Sequence, residues 1–231
     1  MTLRQYQRDA VDAVWTHIRE RKSNPAVVLP TGSGKTHVIA ELCRDAVQKW
    51  GGRVVVLAHV KELLEQSAEK IRAAAPDLPV GVYSAGLGSR DTGYAGTFAG
   101  IQSVYNRALE LGPIDVAIVD EAHLIPPDGE GMYRRFLDDA RKVCNHQRVV
   151  GLTATPYRMK SGEICGPDNI LNEVCYEAGV RQLINDGYLS SLRSKGGHAA
   201  ADTEGVHVRG GEFIAGELEQ RVDTTELVQA A

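Results

Sequence analysis

The feature that most constrains this chain is the segment LPTGSGKT at residues 29–36, set between an apolar run and an amphipathic run. The residues AVVL (26–29) predict a buried strand, and THVIAELCRDAVQKW (36–50) carries apolar residues at helical spacing. Glycines let a loop turn its backbone N–H groups inward, and the helix that follows presents its positive end to an anion. The sequence therefore predicts a phosphate-binding loop between a strand and a helix.

The residue types in this loop suit a bound nucleotide. Lys35 would reach the β- and γ-phosphates, and the Thr36 hydroxyl would be a ligand of Mg²⁺. The other predicted phosphate contacts come from Thr31, Gly32, Ser33 and Gly34. The pattern G-x-x-x-x-G-K-[ST] begins with Gly, whereas this chain has Leu29 there. The interpretation therefore depends on the strand and helix that flank the loop.

A second strand-like run, IDVAIVDEAH (114–123), ends on the adjacent acids Asp120 and Glu121. An almost unbroken apolar run is typical of a buried parallel strand, and open α/β sheets bind ligands at the carboxyl ends of such strands. We interpret Asp120 as the Mg²⁺-side acid, acting partly through water, and Glu121 as the general base that orients an attacking water. Two interpretations of His123 stay open: it senses the γ-phosphate, or it hydrogen-bonds to GLTATP at 151–156.

The motifs PTGSGKT, DEAH and TAT have the order and spacing of motifs I, II and III of superfamily 2 helicases and translocases, which the chain resembles over about residues 3–190. LRQYQRDAV (3–11) resembles the Q motif, VVVLAHVKELLEQ (54–66) motif Ia and TFAGIQSV (97–104) motif Ib. LAHVKEL, GLTATPYR and GYL (187–189) look most like RadD-type DNA helicases, and are similar to the wider group that shares a fold with type III restriction ATPase subunits. The resemblance implies ATP and Mg²⁺ as cofactors and DNA as a partner.

The resemblance also implies roles for residues outside the phosphate loop. Gln7 would hydrogen-bond the adenine edge, and Arg4 would pack beside the base. Thr153 and Thr155 would couple the nucleotide site to the nucleic-acid rim of the sheet. Contacts to the phosphodiester backbone would come from Lys61, Gln102 and Ser103. A solvated lysine and a helix cap are the alternative interpretations of that last set.

Helical and strand patterns alternate along the chain and predict an α/β fold, a RecA-like doubly wound parallel sheet with helices on both faces. Strands are predicted near residues 26–29, 53–58, 80–83, 96–99, 114–119 and 148–153. Helices are predicted near 5–22, 35–49, 60–75, 101–110, 130–143 and 178–187. We expect residues 1–190 to form one ATP-binding lobe and 191–231 a linker or extension toward a second lobe. In that extension, 194–211 predicts a loop or β-ribbon, whereas 212–222 and a capping box at 223–226 favour helices.

Composition and charge exclude several protein classes. A hydrophobic fraction of 43% and a charged fraction of 24% are typical of a soluble globular protein. The net charge of −4 shows no basic excess, although a lobe of the resembled superfamily contacts a strand with few residues. No apolar stretch suits a membrane span, and MTLRQYQRD at the start lacks the apolar core of a secretory signal. We therefore expect a cytoplasmic protein.

The cysteines, at positions 43, 144, 165 and 175, form no C-x-x-C pair and are expected to be free thiols. A metal site can be drawn from Cys144, Cys165, Cys175 and His146, but their spacing matches no zinc template.

Three functional hypotheses follow from the sequence. The first is the ATP-binding lobe of a DNA helicase or translocase that hydrolyses ATP to move on or unwind DNA. The second is the motor lobe of a restriction system that tracks duplex DNA, and the third is an ATP-dependent nucleic-acid-binding switch without unwinding. Motifs V and VI are not found, so we expect a second RecA-like lobe, in the same longer chain or in another chain, to supply an arginine finger. The isolated lobe would then hydrolyse ATP slowly.

Overall fold

The computed structural model describes residues 2–59, 61–126, 131–158, 162–191, 207–209 and 212–213. Contacts within the chain separate a first unit, Met1–Leu189, from a second unit, Ser190–Ala231. The predicted division into an ATP-binding lobe (1–190) and an extension (191–231) stays a prediction. Among the helices that the structure describes, none combines the length and apolar character needed to span a bilayer.

The first unit alternates strands and helices along the chain. Its strands are β1 (Pro25–Val28), β2 (Val54–Ala58), β3 (Val80–Ser84), β4 (Ser89–Arg90), β5 (Gly96–Gly100), β6 (Val116–Val119), β7 (Arg148–Thr153), β8 (Tyr157–Arg158), β9 (Gly162–Glu163) and β10 (Glu173–Glu177). Its helices are α1 (Gln5–Glu20), α2 (Lys35–Arg44), α3 (Lys61–Ala74), α4 (Ile101–Val104), α5 (Met132–Val143) and α6 (Val180–Asn185). A π-helical turn, Asp45–Lys49, continues α2.

The central sheet has eight strands in the order β10-β1-β7-β6-β2-β5-β3-β4. Neighbouring strands are parallel, except for the short β4, which pairs antiparallel with β3. All the strands predicted from the sequence are present, and this mostly parallel sheet confirms the α/β fold class. The sequence prediction missed β10, a partly exposed strand that pairs with β1 at one side of the sheet.

Apolar side chains alternate between the two faces of the sheet. In β2, Val54 and Val56 pack with residues of α1, α2 and α3, whereas Val55 and Leu57 pack with residues of α5. This alternation follows from the two-residue repeat of a strand, since each strand buries side chains on both faces. The helices therefore cover both faces, which confirms the predicted doubly wound arrangement.

The helix predicted over 101–110 is shorter than expected. Only Ile101–Val104 are α-helical, Arg107 leaves the helical region with φ −132°, and a 3₁₀ turn follows at Ala108–Leu111. Tyr105 and Asn106, which follow the helix, both have weak helix propensity, which accounts for the break.

The described part of the second unit is a small antiparallel ribbon of β11 (Val208–Arg209) and β12 (Glu212–Phe213). The ribbon predicted within 194–211 is therefore present at β11. The helix predicted over 212–222 is wrong at its first two residues, which form β12 because they pair with β11. Residues 214–222 and the capping box at 223–226 lie outside the described residues.

Candidate nucleotide-binding site

The phosphate-binding loop begins where β1 ends. Leu29 is fully buried, and its N–H donates to the Thr153 carbonyl of the neighbouring strand β7 at 2.9 Å. Position 29 therefore continues the hydrogen bonding of β1 by one residue, where an apolar side chain packs in the core and no glycine conformation is needed. Ser33 closes the loop, because its Oγ donates to the Pro30 carbonyl at 2.6 Å. The departure from the usual first glycine is thus explained by its place directly after the strand.

Glycine is required twice in this loop. Gly32 and Gly34 both have φ +80°, which side-chain-bearing residues rarely adopt. A Cβ on Gly34 would also lie 2.7 Å from Nε2 of Gln7. That contact is close because Nε2 of Gln7 donates to the Ser33 carbonyl at 2.9 Å, and the Tyr6 hydroxyl donates to the same carbonyl at 2.6 Å. Helix α1 therefore holds the loop directly.

The side-chain amide of Gln7 forms hydrogen bonds within the chain through both its oxygen and its nitrogen. The side chain is buried, and its Oε1 accepts a hydrogen bond from the Arg4 N–H at 3.0 Å in a capping box at the start of α1. With Nε2 donating to Ser33, the amide joins the helix start to the phosphate-binding loop. Contact between Gln7 and an adenine base stays a prediction.

An aromatic wall that the sequence interpretation missed lies beside the loop. The Tyr188 and Tyr6 rings have centroids 5.0 Å apart, and the Arg4 guanidinium lies 5.2 Å from the centroid of the Tyr188 ring. Leu189 approaches Gly32, since a Cβ at Gly32 would be 3.4 Å from Leu189 Cδ2. The tripeptide GYL (187–189) was noted for its resemblance to a family. No pattern in the neighbouring sequence indicated that these residues lie beside the loop that contains Gly32.

The two acids follow β6 on the same side of the sheet. Glu121 is the only described residue other than glycine with a positive φ, at 49°. Such backbone strain is typical of functional sites. Asp120 Oδ1 accepts the Glu121 N–H at 3.0 Å. Burial and the charge of Glu121 raise the pKa of Asp120, partly offset by that N–H and by the positive charge of Lys35. Lys35 Nζ lies 3.6 Å from Glu121 Oε1.

A continuous polar chain runs from these acids to the GLTATP loop. Glu121 Oε2 lies 3.4 Å from His123 Nδ1, which is 2.9 Å from Thr153 Oγ1. Thr153 Oγ1 in turn accepts the Thr155 N–H at 3.1 Å. The structure thus supports the second interpretation of His123, a hydrogen bond to GLTATP. Arg158, which the sequence interpretation did not single out, donates Nε to the His123 carbonyl at 2.9 Å.

The phosphate-binding loop and the acids open into one cleft of about 990 Å³. The residues that line it are Pro30, Thr31, Gly32, Gly34, Lys35, Thr36, His37, Gln66, Ser67, Lys70, Ala73, Pro76, Asp120 and Glu121. Helix α3 forms the far wall, with Gln66, Lys70 and Ala73 spaced so that they share one helix face. The sequence interpretation assigned Lys61, at the start of this helix, to the nucleic-acid rim and gave no role to the face that lines the cleft. The helical spacing of Gln66, Lys70 and Ala73 can be seen in the sequence, but the sequence does not show which part of the protein that helix face lies against.

The predicted nucleic-acid contacts lie at the carboxyl ends of β2 and β5. Gln102 donates Nε2 to the His59 carbonyl at 2.9 Å, and Ser103 Oγ accepts the Ala85 N–H at 3.0 Å. Lys61 begins α3, but its side chain lies outside the described residues. These two hydrogen bonds join the segment after β5 to the residues that follow β2 and β3. Contact of Lys61, Gln102 and Ser103 with nucleic acid stays a prediction.

The cysteines do not form the metal site that was drawn from them. The described group of ligand atoms that lies close together consists of Asp115, Cys144 and His146, and excludes Cys165 and Cys175. Asp115, which is distant in sequence and directly precedes β6, lies beside the turn that carries Cys144 and His146. All the cysteines are free, and burial raises the pKa of Cys43 to about 12.

Two curated proteins with similar sequences carry helicase names. The chain is 25% identical over 239 residues to the "Putative ATP-dependent helicase IRC3" of Saccharomyces cerevisiae, covering 97% of this chain and 33% of that protein. It is 30% identical over 199 residues to the "Putative mitochondrial ATP-dependent helicase irc3" of Schizosaccharomyces pombe, covering 82% of this chain and 31% of that protein. The chain therefore spans about a third of the length of these curated relatives.

The fold is also found in a solved restriction enzyme. A nuclease-deletion mutant of the Type ISP restriction-modification enzyme LlaGI, in complex with a DNA substrate mimic, superposes with a TM-score of 0.61. It is 19% identical, and the match covers 81% of this chain and 21% of that one, so the likeness concerns the fold. Residues 1–158, which include the phosphate-binding loop, the two acids and the GLTATP loop, match the family model described as "Type III restriction enzyme, res subunit". The chain belongs to this family.

Proposed function

We propose that this chain is the ATP-binding lobe of a DNA motor, a helicase or translocase that hydrolyses ATP to move on or unwind DNA. The observation that supports it most is the polar chain from Lys35 through Glu121 and His123 to Thr153 and Thr155. Its first members face the cleft, and its last belong to the loop that leaves the sheet. A change at the phosphates would therefore reach that loop through direct contacts.

The residues of the cleft fit Mg²⁺ and ATP. Gly32 and Gly34 give the loop the positive φ that lets backbone N–H groups turn toward a phosphate, a conformation that a Cβ would strain. Thr36 and Asp120 offer a hydroxyl and a carboxylate, oxygen ligands that Mg²⁺ prefers, to the same cleft. Mg²⁺·ATP, when bound, would supply the phosphoryl group that is transferred to water. The acid pair also favours a cation, since a positive charge would offset both the burial and the repulsion from Glu121 that raise the pKa of Asp120.

Lys35 and Glu121 would exchange partners when nucleotide binds. Their 3.6 Å ion pair neutralises both side chains within the cleft. Lys35 would turn to the phosphates, leaving one oxygen of Glu121 free to accept a proton from an attacking water. The other oxygen of Glu121 lies 3.4 Å from His123 Nδ1. Glu121 would thus become an effective base only when phosphate has taken Lys35.

Hydrolysis measurements test this proposal. We expect the chain to hydrolyse ATP in a Mg²⁺-dependent manner and to respond to DNA. Stimulation by single strands or forked duplexes supports a helicase. Absence of ATP binding by the folded chain contradicts the proposal, and ATP binding without any response to nucleic acid supports the switch instead.

Duplex translocation is the second candidate. It is favoured by the match to the type III restriction res subunit family and by the shared fold with LlaGI. Hydrolysis that increases with duplex length, without separation of the strands, would support it. Unwinding of a fork in the same preparation would reject it in favour of the helicase.

The nucleic-acid rim and the second lobe belong to the same proposal. Lys61, Gln102 and Ser103 are the proposed backbone contacts, and a second RecA-like lobe is the proposed source of an arginine that stabilises the transferring phosphoryl group. Such an arginine contributes about 10³–10⁵ in rate in related enzymes, so this lobe alone should be slow. The cytoplasmic location stays a prediction, since the S. pombe relative is named mitochondrial.

A further inference from the structure

A second cluster of reactive side chains lies at the amino ends of the strands, on the side of the sheet opposite the nucleotide cleft. Asp115 directly precedes β6, Cys144 follows α5, and His146 lies in the turn before β7. His146 Nε2 is 2.9 Å from Asp115 Oδ1 and 3.4 Å from Cys144 Sγ, and Cys144 Sγ is 3.9 Å from Asp115 Oδ1. Sulfur, nitrogen and oxygen donors therefore converge on one point.

These separations are close to those of three ligands around a tetrahedral ion. Zinc–ligand bonds of about 2.3 Å to sulfur and about 2.0–2.2 Å to nitrogen or oxygen place neighbouring donors roughly 3.4–3.6 Å apart. The observed separations of 3.4, 2.9 and 3.9 Å each differ from that range by about half an ångström or less. The His146 side chain is 72% exposed, so it can make the small adjustment that equal spacing requires.

The other two ligands are held in place by the backbone. Oδ2 of Asp115 accepts the Arg53 N–H at 2.7 Å, which leaves Oδ1 directed at the cluster. The Asp115 carbonyl accepts the Arg148 N–H at 2.8 Å, and the Cys144 N–H donates to the Ala140 carbonyl at 3.0 Å. Such support around a ligand is typical of metal sites. Within the described residues, no other group of three His, Cys, Asp or Glu side chains brings its ligand atoms this close together.

We propose that Asp115, Cys144 and His146 bind a zinc ion, with water as the fourth ligand. Thiolate, imidazole and carboxylate together suit Zn²⁺, and hard cations such as Mg²⁺ do not prefer sulfur. On binding, the thiol proton passes to solvent and the sulfur electron pair forms the metal bond. The ion would join the start of β6 to the α5–β7 turn and stabilise the folded chain by mass action.

Cobalt is the probe, because a thiolate bound to Co²⁺ gives a charge-transfer absorption that oxygen and nitrogen ligands do not give. The metal-free chain is titrated with Co²⁺ in excess Mg²⁺, which would compete for the oxygen ligands proposed at Thr36 and Asp120, and Zn²⁺ is then added. We expect the absorption to saturate at one Co²⁺ per chain and to disappear on addition of Zn²⁺. Zn²⁺ should also raise the midpoint of thermal unfolding.

Two variants remove single ligands. His146→Ala alters an exposed side chain and should leave the fold intact, while Cys144→Ser keeps the shape of the side chain. We expect Cys144→Ser to lose the absorption. His146→Ala should weaken Co²⁺ binding by at least about 10–100-fold, because losing only a residue that hydrogen-bonds to a metal ligand already weakens binding by that factor. Cys175→Ser is the matched thiol control and should keep wild-type binding.

The proposal is overturned if the unaltered chain gives no thiolate absorption, or if His146→Ala binds Co²⁺ as tightly as the unaltered chain. Loss of the absorption in Cys175→Ser would also overturn it by assigning the thiolate elsewhere. In each case the three side chains would be only a hydrogen-bonded cluster that caps the strands. None of these outcomes depends on ATP or DNA, so the test stands apart from the proposed motor function.

Discussion

The two ends of the central sheet use polar residues in opposite ways. At the carboxyl ends of the strands, Lys35 and Glu121 face an open cleft, and the backbone is strained at Glu121. At the amino ends, polar side chains bind neighbouring backbone. Asn24 donates Nδ2 to the Ile170 carbonyl at 2.9 Å and accepts the Val149 N–H on Oδ1 at 3.0 Å.

The difference teaches where the chain gains stability and where it keeps reactivity. A buried polar group stabilises a fold when its partners are in place, and costs free energy when they are not. The amino ends, with paired side chains such as Asn24, join α1, β1, β7 and β10. At the carboxyl ends, the strain at Glu121 and the charges in the cleft are what we expect of a binding site. Substitutions should therefore affect activity at one end and stability at the other.

The largest effect is expected for Lys35→Ala. The substitution removes the charge that would hold the β- and γ-phosphates, and leaves Glu121 without its 3.6 Å partner. We expect ATP binding, measured by calorimetry, and ATP hydrolysis, measured by phosphate release, to fall below detection. The midpoint of unfolding should change little. Lys142→Ala, which alters an exposed lysine paired with Asp139 on α5, is the control. Unchanged ATP affinity in Lys35→Ala would reject the phosphate-binding loop.

Glu121→Gln should separate binding from chemistry. The amide keeps the shape of the side chain but cannot accept a proton from water, and removal of a general base typically costs about 10²–10⁴ in rate. We expect ATP and Mg²⁺ to bind with near wild-type affinity while turnover falls by that factor. If binding falls as far as in Lys35→Ala, Glu121 is a metal-site or structural acid and the base role is wrong.

Asn24→Ala tests the other end of the sheet. It leaves the buried Val149 N–H and the Ile170 carbonyl without their partners, which typically costs about 1–3 kcal/mol. Urea unfolding should shift to lower denaturant, while ATP affinity under folding conditions stays the same. A matched change at an exposed position is Asn106→Ala. Equal stability of Asn24→Ala and the unaltered chain would show that the amino ends are not held as described.

The smallest effect is expected for Glu173→Gln, where β10 begins. A hydrogen bond from Ser23 Oγ at 2.7 Å, together with Arg21 and His17, lowers the pKa of Glu173 below its ordinary value of 4.5. Because the pKa of Glu173 is lower in the folded chain than its ordinary value of 4.5, the charged carboxylate stabilises the fold above pH 4.5. That stabilisation is lost as the pH falls through the folded-state pKa. Unfolding midpoints near neutral pH should be slightly lower in Glu173→Gln and should converge with the unaltered chain in acid. Glu163→Gln is the control, and a gap that persists in acid would point to a cause other than charge.

Local patterns were enough for most of the fold. Uninterrupted apolar runs predicted β2 and β6, because a strand covered on both faces needs little besides Val, Ile, Leu and Ala. The run EVCYE (173–177) carried no such signal, since β10 is at one side of the sheet and partly exposed. Helix α4 was predicted too long because its apolar spacing continues beyond the residues that break the helix.

By itself, the sequence determined the strand, loop and helix around LPTGSGKT, the acid pair after β6 and the alternation of strands and helices, because each depends on neighbouring residues and on the fixed repeats of strand and helix. Only the tertiary structure decided which distant segments meet these motifs. It brought Lys70 to the cleft, Tyr188 to Tyr6 and His123 to Thr153. It also brought Asp115 to Cys144 and His146. These contacts between residues distant in sequence depend on the order of the strands in the sheet. Strand order is set by how helices pack on both faces of the whole sheet, and no local sequence pattern contains that information.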